Sequence, residues 1–374
     1  MTKRGSIAAT AQAGATALSA SKTIGLLTSG GDCAGLNPAI RAVVHRAVLG
    51  YGWQVIGIRN GTAGLLTRPV EWVALTPNET DIELLRRGGT ILGSTNKGDP
   101  FAYPMPDGRL VDRSHEVIEG YRQLRLDALI VAGGDGSLHI LRKLAQQGDI
   151  PLIAIPKTID NDLGLTEVSI GHATALSAAT NALDHLQPTA ASHSRVMILE
   201  VMGRDAGHIA LSAGIAGGAD VILIPEIPYN FSSITARIEA LKARGRNFAL
   251  VIVAEAVKRD PGDPQEGTIH GSIGHYIAAR IGALTGAETR VTVLGHIQRG
   301  GTPNARDRIM ASAFGVRAVD LIAEGRFDRM VAWNARSVED VPILEAIRHY
   351  QAVDPKGALA HTARGLGICL GEAA

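Results

Sequence analysis

Asp149-Ile150-Pro151-Leu152-Ile153-Ala154-Ile155, running on into Pro156-Lys157-Thr158-Ile159-Asp160-Asn161-Asp162, is the stretch on which the fold turns. The first seven residues are a short apolar run bounded by Gly148 and Pro156, which predicts a central parallel strand. In an open α/β sheet, ligands bind beyond the carboxyl ends of such strands. The second seven residues then lie on that edge, with Asp160 and Asp162 close enough to divide proton transfer and metal binding between them. Taken alone, the same residues also suit an Asx turn or a helix cap, so the choice rests on the rest of the chain.

The layout recurs on both sides. Upstream, an apolar run over 126–132 ends in Gly133-Gly134-Asp135-Gly136-Ser137, and residues 138–147 have helical spacing. Asp135 precedes Asp160 by one strand-helix-strand unit, so both reach one sheet edge. With Asp162 they form a candidate site for Mg²⁺, an ion that takes a few carboxylates plus substrate phosphates. Further upstream, a strand over 23–29 leads into Gly30-Gly31-Asp32-Cys33-Ala34-Gly35-Leu36-Asn37 and a helix over 38–49. Strand, glycine turn and helix cradle phosphate, because backbone N–H groups and the helix N-terminus face an anion. The dinucleotide GxGxxG is absent, and Leu36 and Asn37 stand where a Walker motif has Lys and Ser or Thr. Residues 54–58 make a further strand, and residues 87–100 read as a mobile loop that carries Lys97 towards an anion, or as a solvated surface loop. Residues 105–113 read as a polar connection or small hairpin.

Downstream, a helix over 171–185 precedes strands over 195–201, 221–224, 248–254 and 291–294, with a helix over 206–213 between the first two. The polar tips are Met202-Gly203-Arg204, Glu226, Glu255 and Gly295-His296-Ile297-Gln298-Arg299-Gly300-Gly301. Arg195, Arg204, Arg290 and Arg299, with His296, fall at or near strand ends, which suggests a phosphorylated substrate.

Composition narrows the class. The 374 residues suit two lobes, and 37 Lys and Arg against 36 Asp and Glu leave no field of one sign for nucleic acid or a membrane. Two cysteines without CxxC, and no HExxH, indicate neither a disulfide framework nor a zinc site and fit a reducing cytoplasm. No apolar run reaches spanning length. Residues 1–22, rich in Ala, Ser and Thr, read as a disordered extension rather than a targeting peptide.

The motifs GGDxxGxN (30–37), GGDGS (133–137), PKTIDND (156–162), MGR (202–204) and GHIQRGG (295–301) together closely resemble the 6-phosphofructokinases, in order over about residues 23–325. NAD kinases and diacylglycerol kinases also carry a GGDG turn, but not the other motifs. The resemblance implies two α/β lobes with largely parallel sheets and the site in the cleft between them. It also implies phosphoryl transfer to the 1-hydroxyl of fructose 6-phosphate with Mg²⁺, and a homo-oligomer, commonly a tetramer. It divides the chain into a phosphoryl-donor lobe, about 23–170 with 298–350, and a sugar-phosphate lobe, about 171–297 with 351–374. By position, Asp160 resembles the catalytic base, Thr158 steadies the transferring group, and Asp135 is the metal acid with Asp162 beside it. Gly31, Gly134, Gly136 and Ser137 match the donor-phosphate site. Met202, Gly203, Arg204, Glu255, His296 and Arg299 match the sugar-phosphate site, and Arg195 and Arg290 match arginines lent across a subunit interface.

Departures bear on the donor and on regulation. Asn96 stands where ATP-using bacterial members have an Arg, leaving Lys97 as the substitute cation, and Arg59 stands where they often place a Tyr. Arg41 and Arg68 of the family's effector site are kept, but His45 replaces an Arg, so activation by ADP and inhibition by phosphoenolpyruvate in their usual form are not expected. An acid after GGD goes with pyrophosphate use, and this chain has Gly136. A Lys before TIDND also goes with pyrophosphate use, and this chain has Lys157. A carboxylate at 136 would meet the α-phosphate of ATP, whereas a flexible Lys can swing aside or bind a phosphate. The steric reading therefore favours ATP, with pyrophosphate as the alternative.

Overall fold

The computed structural model describes residues 21–96, 98–263, 267 and 269–373. Most of the expected extension, residues 1–20, and Lys97 lie outside the described residues. Ser21 and Lys22 are already tied to the fold: the Lys22 carbonyl accepts from Gln54 N at 2.8 Å, and its ammonium lies 5.2 Å from the Trp53 ring centroid.

In chain order the strands are β1 (Thr23–Thr28), β2 (Gln54–Ile58), β3 (Trp72–Leu75), β4 (Tyr103–Pro104), β5 (Leu110–Val111), β6 (Ala128–Gly133), β7 (Leu152–Thr158) and β8 (Ile170–Gly171). They continue as β9 (Val196–Val201), β10 (Val221–Leu223), β11 (Ala249–Ala254), β12 (Thr289–Val293), β13 (Arg329–Asn334) and β14 (Ser337–Pro342). The helices are α1 (Leu36–His45), α2 (Thr62–Leu66), α3 (Ser114–Gln123), α4 (Asp135–Gly148), α5 (His172–His193) and α6 (His208–Ala216). After them come α7 (Phe231–Ala243), α8 (Ile273–Thr285), α9 (Ala305–Ala323), α10 (Ile343–Arg348) and α11 (Ala358–Gly365).

Two sheets carry the site. The larger runs β14-β13-β7-β6-β1-β2-β3, with β8 against β7. Its centre is parallel and its outer pairs, β2–β3 and β13–β14, are antiparallel. Every residue of β6 and β7 is buried, as expected for strands covered on both faces. The smaller sheet, β10-β11-β9-β12, is wholly parallel. In the larger sheet the strand order reverses beside β1, so the turns after β1 and β6 flank the crevice where open α/β sheets take ligands.

Strand β7 corrects the sequence reading, which ended it at Ile155: it continues through Pro156 and Lys157 to Thr158. Pairing with β13 stops at Ala154, so the missing N–H of Pro156 removes no bond from that ladder. Helix α5 likewise runs past Pro188 to His193, eight residues beyond the expected end at His185.

Candidate active site

Both glycine turns bring backbone to one cleft of about 360 Å³. After β1, Gly30 takes φ +83, its N–H donates to the Thr95 carbonyl and its own carbonyl accepts from Ser94 Oγ at 2.5 Å. After β6, Gly134 caps α4, which starts at Asp135 and points its first N–H groups into the cleft. The lining includes Gly31, Asp135, Gly136, Ser137, Lys157, Thr158, Asp160, Arg204 and Arg299. A Cβ built on Gly136 meets nothing within 4 Å, so that position opens on free space.

Residues 158–162 leave the end of β7 and turn through Asn161, which holds φ +56. Asn161 Oδ1 accepts from Ser169 N and Oγ, and its Nδ2 donates to the Glu167 carbonyl, so a bonded side chain offsets the left-handed backbone. Asp160 and Asp162 are buried at 6% and 3% exposure, and Oδ1 of each has no hydrogen-bond partner. The Thr158 hydroxyl donates to Asp160 Oδ2 at 3.2 Å. Burial pushes the Asp160 carboxyl up, against the nearby Arg299. Asp162 is pushed up to about 6 by burial, with Asp160 and Asp135 adding to the shift. Arg204 spans the acids, 2.6 Å from Asp135 Oδ1 and 3.9 Å from Asp162 Oδ2.

Lys157 is not the free side chain that the sequence suggested. It is 3% exposed, and its ammonium donates to the Gly31 carbonyl at 2.6 Å, bracing the first turn from below. Burial lowers its pKa. Residues 87–96 are likewise fastened rather than loose. Asn37 Nδ2 donates to the Arg87 and Gly88 carbonyls, Asn37 Oδ1 accepts from Ile91 N, and Thr28 Oγ1 donates to the Gly93 carbonyl.

The sugar-phosphate candidates divide into three groups. Arg204 and Arg299 reach the cleft, Arg299 donating to the Asp32 carbonyl at 3.3 Å. Met202, Gly203 and Glu255 stand behind Arg204: Glu255 Oε1 accepts from Gly203 N and Arg204 N, and buried Gln298 Oε1 accepts from Met202 N. His296 is exposed on the 3₁₀ turn Gly295–Arg299. Arg195 precedes β9 at the amino end of the small sheet, roughly 20 Å from its carboxyl edge at ~3.3 Å per residue, and Arg290, the second residue of β12, lies roughly 10 Å from the end of its strand. There Arg195 and Arg290 both pair with Glu288. Of the positions that the resemblance matches to the family's effector site, Arg41 donates to the Asp81 carbonyl, the His45 ring bonds the Thr80 carbonyl, and Arg68 donates to the Leu65, Thr67 and Glu116 carbonyls.

Sequence reasoning missed the apolar wall of the cleft, made by Pro100, Ile140 and Leu141. The signal was present, since Ile140 lies four residues after Gly136 and hence on the same face of α4. It also missed Gln298, whose buried amide could be recognised only once β9 and the turn after β12 were seen together.

Fold and cleft define an α/β enzyme of the phosphoryl-transfer class. The chain belongs to the phosphofructokinase family, whose model matches residues 23–322. It is 62% identical to ATP-dependent 6-phosphofructokinase 1 of Synechocystis sp. over 94% of this chain and 99% of that protein. It is 61% identical to the protein of the same name from Nostoc sp., over 95% of this chain and 100% of that one. Among solved structures, phosphofructokinase from Saccharomyces cerevisiae matches with a TM-score of 0.74 at 30% identity, over 87% of this chain and 45% of the yeast chain. A pyrophosphate-dependent phosphofructokinase from Nitrosospira multiformis matches with a TM-score of 0.78 at 21% identity, over 94% of this chain and 93% of that one, a likeness of fold alone.

Proposed function

We propose that this chain transfers the γ-phosphoryl group of ATP to the 1-hydroxyl of D-fructose 6-phosphate, giving fructose 1,6-bisphosphate. The observation that carries the choice of donor is the cleft beyond the second glycine turn. Gly136 opens on free space, and past it stands the apolar wall of Pro100, Ile140 and Leu141, which suits a nucleobase and has no use for pyrophosphate. The high identity to proteins named ATP-dependent over nearly their whole length supports the same reading.

In this reading Asp160 takes the hydroxyl proton, and the bond from Thr158 orients its carboxylate. Phosphoryl transfer needs alignment and charge neutralisation more than covalent chemistry. The N–H groups of Gly31 and Gly134 to Ser137 hold the donor phosphates, while Arg204 and Arg299 supply positive charge opposite them. The unpartnered Oδ1 atoms of Asp160 and Asp162, beside Asp135, suit a hard divalent cation. Asp135 and Asp162 would hold it, and when bound it neutralises charge on the transferred group. The lobe built on the larger sheet takes the donor and the lobe built on the smaller sheet takes the sugar phosphate. Arg195 and Arg290 serve the cleft of a second copy in a homo-oligomer, a tetramer by analogy with the family.

Initial rates with ATP, ADP and pyrophosphate, each with fructose 6-phosphate and Mg²⁺, test the proposal. ATP is expected to support turnover and pyrophosphate to support less than a hundredth of it. A pyrophosphate rate equal to or above that of ATP overturns the donor assignment.

A further inference from the structure

We infer that His172 is a positioning residue for Asp160, an inference that rests on the reading of Asp160 as the base. His172 is the first residue of α5, and its Nδ1 lies 2.7 Å from the Ile159 carbonyl. A carbonyl only accepts, so Nδ1 carries the proton and donates. The next peptide N–H, that of Asp160, donates to Thr158 Oγ1 at 3.1 Å. The Ile159–Asp160 peptide is therefore gripped at both ends, oxygen by His172 and nitrogen by Thr158. A planar peptide held at both polar atoms fixes the position of the next Cα, the point from which the Asp160 side chain departs. Sub-ångström aim at this point matters, since a small misplacement of a reacting group costs rate out of proportion to its size.

His172 is itself held rigidly. Gly171 precedes it at φ +101, where a Cβ would come within 2.5 Å of Cys33 Sγ. Asp307 of α9, fully buried, accepts from Gly171 N at 3.0 Å, from Thr174 N at 2.7 Å and from Thr174 Oγ1 at 2.5 Å, tying down the first turn of α5. The grip thus runs from α9 through the start of α5 to the peptide before the base. Burial holds the His172 ring neutral, with its pKa lowered to about 4 and with His208 and Arg306 acting in the same direction. The helix N-terminus disfavours the imidazolium as well. The donor is consequently the same species across the working range of the enzyme.

The test uses full-length enzyme, steady-state kinetics and thermal melts. His172→Phe keeps a ring of similar volume and removes the donor; His172→Asn offers an amide N–H close to the place of Nδ1. His172→Phe is expected to lower kcat about tenfold, the worth of one well-placed hydrogen bond, with KM for ATP and fructose 6-phosphate within twofold. His172→Asn is expected to recover most of that loss. If His172→Phe does not fold, His172→Ala against His172→Asn makes the same comparison. Unchanged kcat in the donor-free variant overturns the inference, as does equal loss in the Asn variant or failure of every variant to fold, which assigns the residue to packing. An inactive wild type sinks the functional reading and this inference with it, whereas an active wild type with an unaffected Phe variant sinks this inference alone.

Discussion

Asp162 puts two requirements into conflict, since its carboxylate is almost sealed from water yet one oxygen is left unbonded. Its pKa of about 6 lies above the ordinary 3.8, so the folded state binds this proton more tightly than the unfolded chain does. Stability from this group is therefore full below about pH 4 and is lost as pH rises towards 6. At neutral pH the ionised form costs about 3 kcal/mol, two pH units at ~1.4 kcal/mol each. In metal-free, substrate-free protein, Asp162→Asn is expected to raise the melting temperature by a few degrees at pH 7.5 and by almost nothing at pH 4. A melt difference of the same size at both pH values would contradict this account. The identity of the acids was legible from their place after a strand, because residue type and strand end are local facts. The direction of Lys157 was not: its ammonium lies under a turn more than 120 residues earlier, a contact that only the packing of β7 beside β6 and β1 creates.

Helix α4 shows where one element serves the site twice. Its N-terminus faces the cleft while Leu138, Leu141 and Leu144 anchor it in the core, so the turn before it is held without help from a side-chain cap. Gly136→Asp is expected to fold normally and to gain up to about 1 kcal/mol, from lost glycine entropy and from an acid in the first turn. The same variant is expected to raise KM for ATP at least tenfold through charge repulsion. A stable variant with unchanged ATP kinetics would show that the open space at Gly136 is not on the path of the nucleotide. At this scale the buried parallel strands were readable, β2 with the same bounds as in the structure, because continuous apolar runs have few other uses. The β13–β14 hairpin went unread, since Ser337–Pro342 is half exposed and carries Glu339 and Asp340 where an apolar run was sought. Pro156 suggested an end that β7 overrides, and α5, expected to stop at His185, runs on through Pro188 to His193.

Across the whole molecule, the four arginines assigned to sugar phosphate separate into two sets at opposite ends of the small sheet. Arg195 and Arg290 are both drawn to Glu288, away from the carboxyl edge of their own sheet, so their proposed use calls for a neighbour. Asp160→Asn, expected to lose about 10²- to 10⁴-fold in turnover, and Arg290→Ala, expected to lose sugar-phosphate affinity, fail for different reasons. Unfolded together, mixed and refolded, they are expected to show more activity than the sum of the two alone, because some hybrid sites hold a native base and a native partner arginine. Strict additivity would place Arg290 outside the site. The two-lobe plan was legible from the chain length and from what the family resemblance of the five motifs implies, but which end of a strand each arginine occupies depended on its exact register.

The end of the chain reaches back to the site. Gln351 N donates to the Asp162 carbonyl at 2.9 Å, Tyr350 bridges Leu163, and the His208 ring bonds the Gln351 carbonyl. Domains fold as they leave the ribosome, amino end first. The carboxylates are therefore synthesised long before their last restraint exists, and the nascent enzyme stays unfinished for nearly 200 residues of translation. A chain interrupted before residue 350 would carry every motif and still lack the strap that closes the loop beneath them.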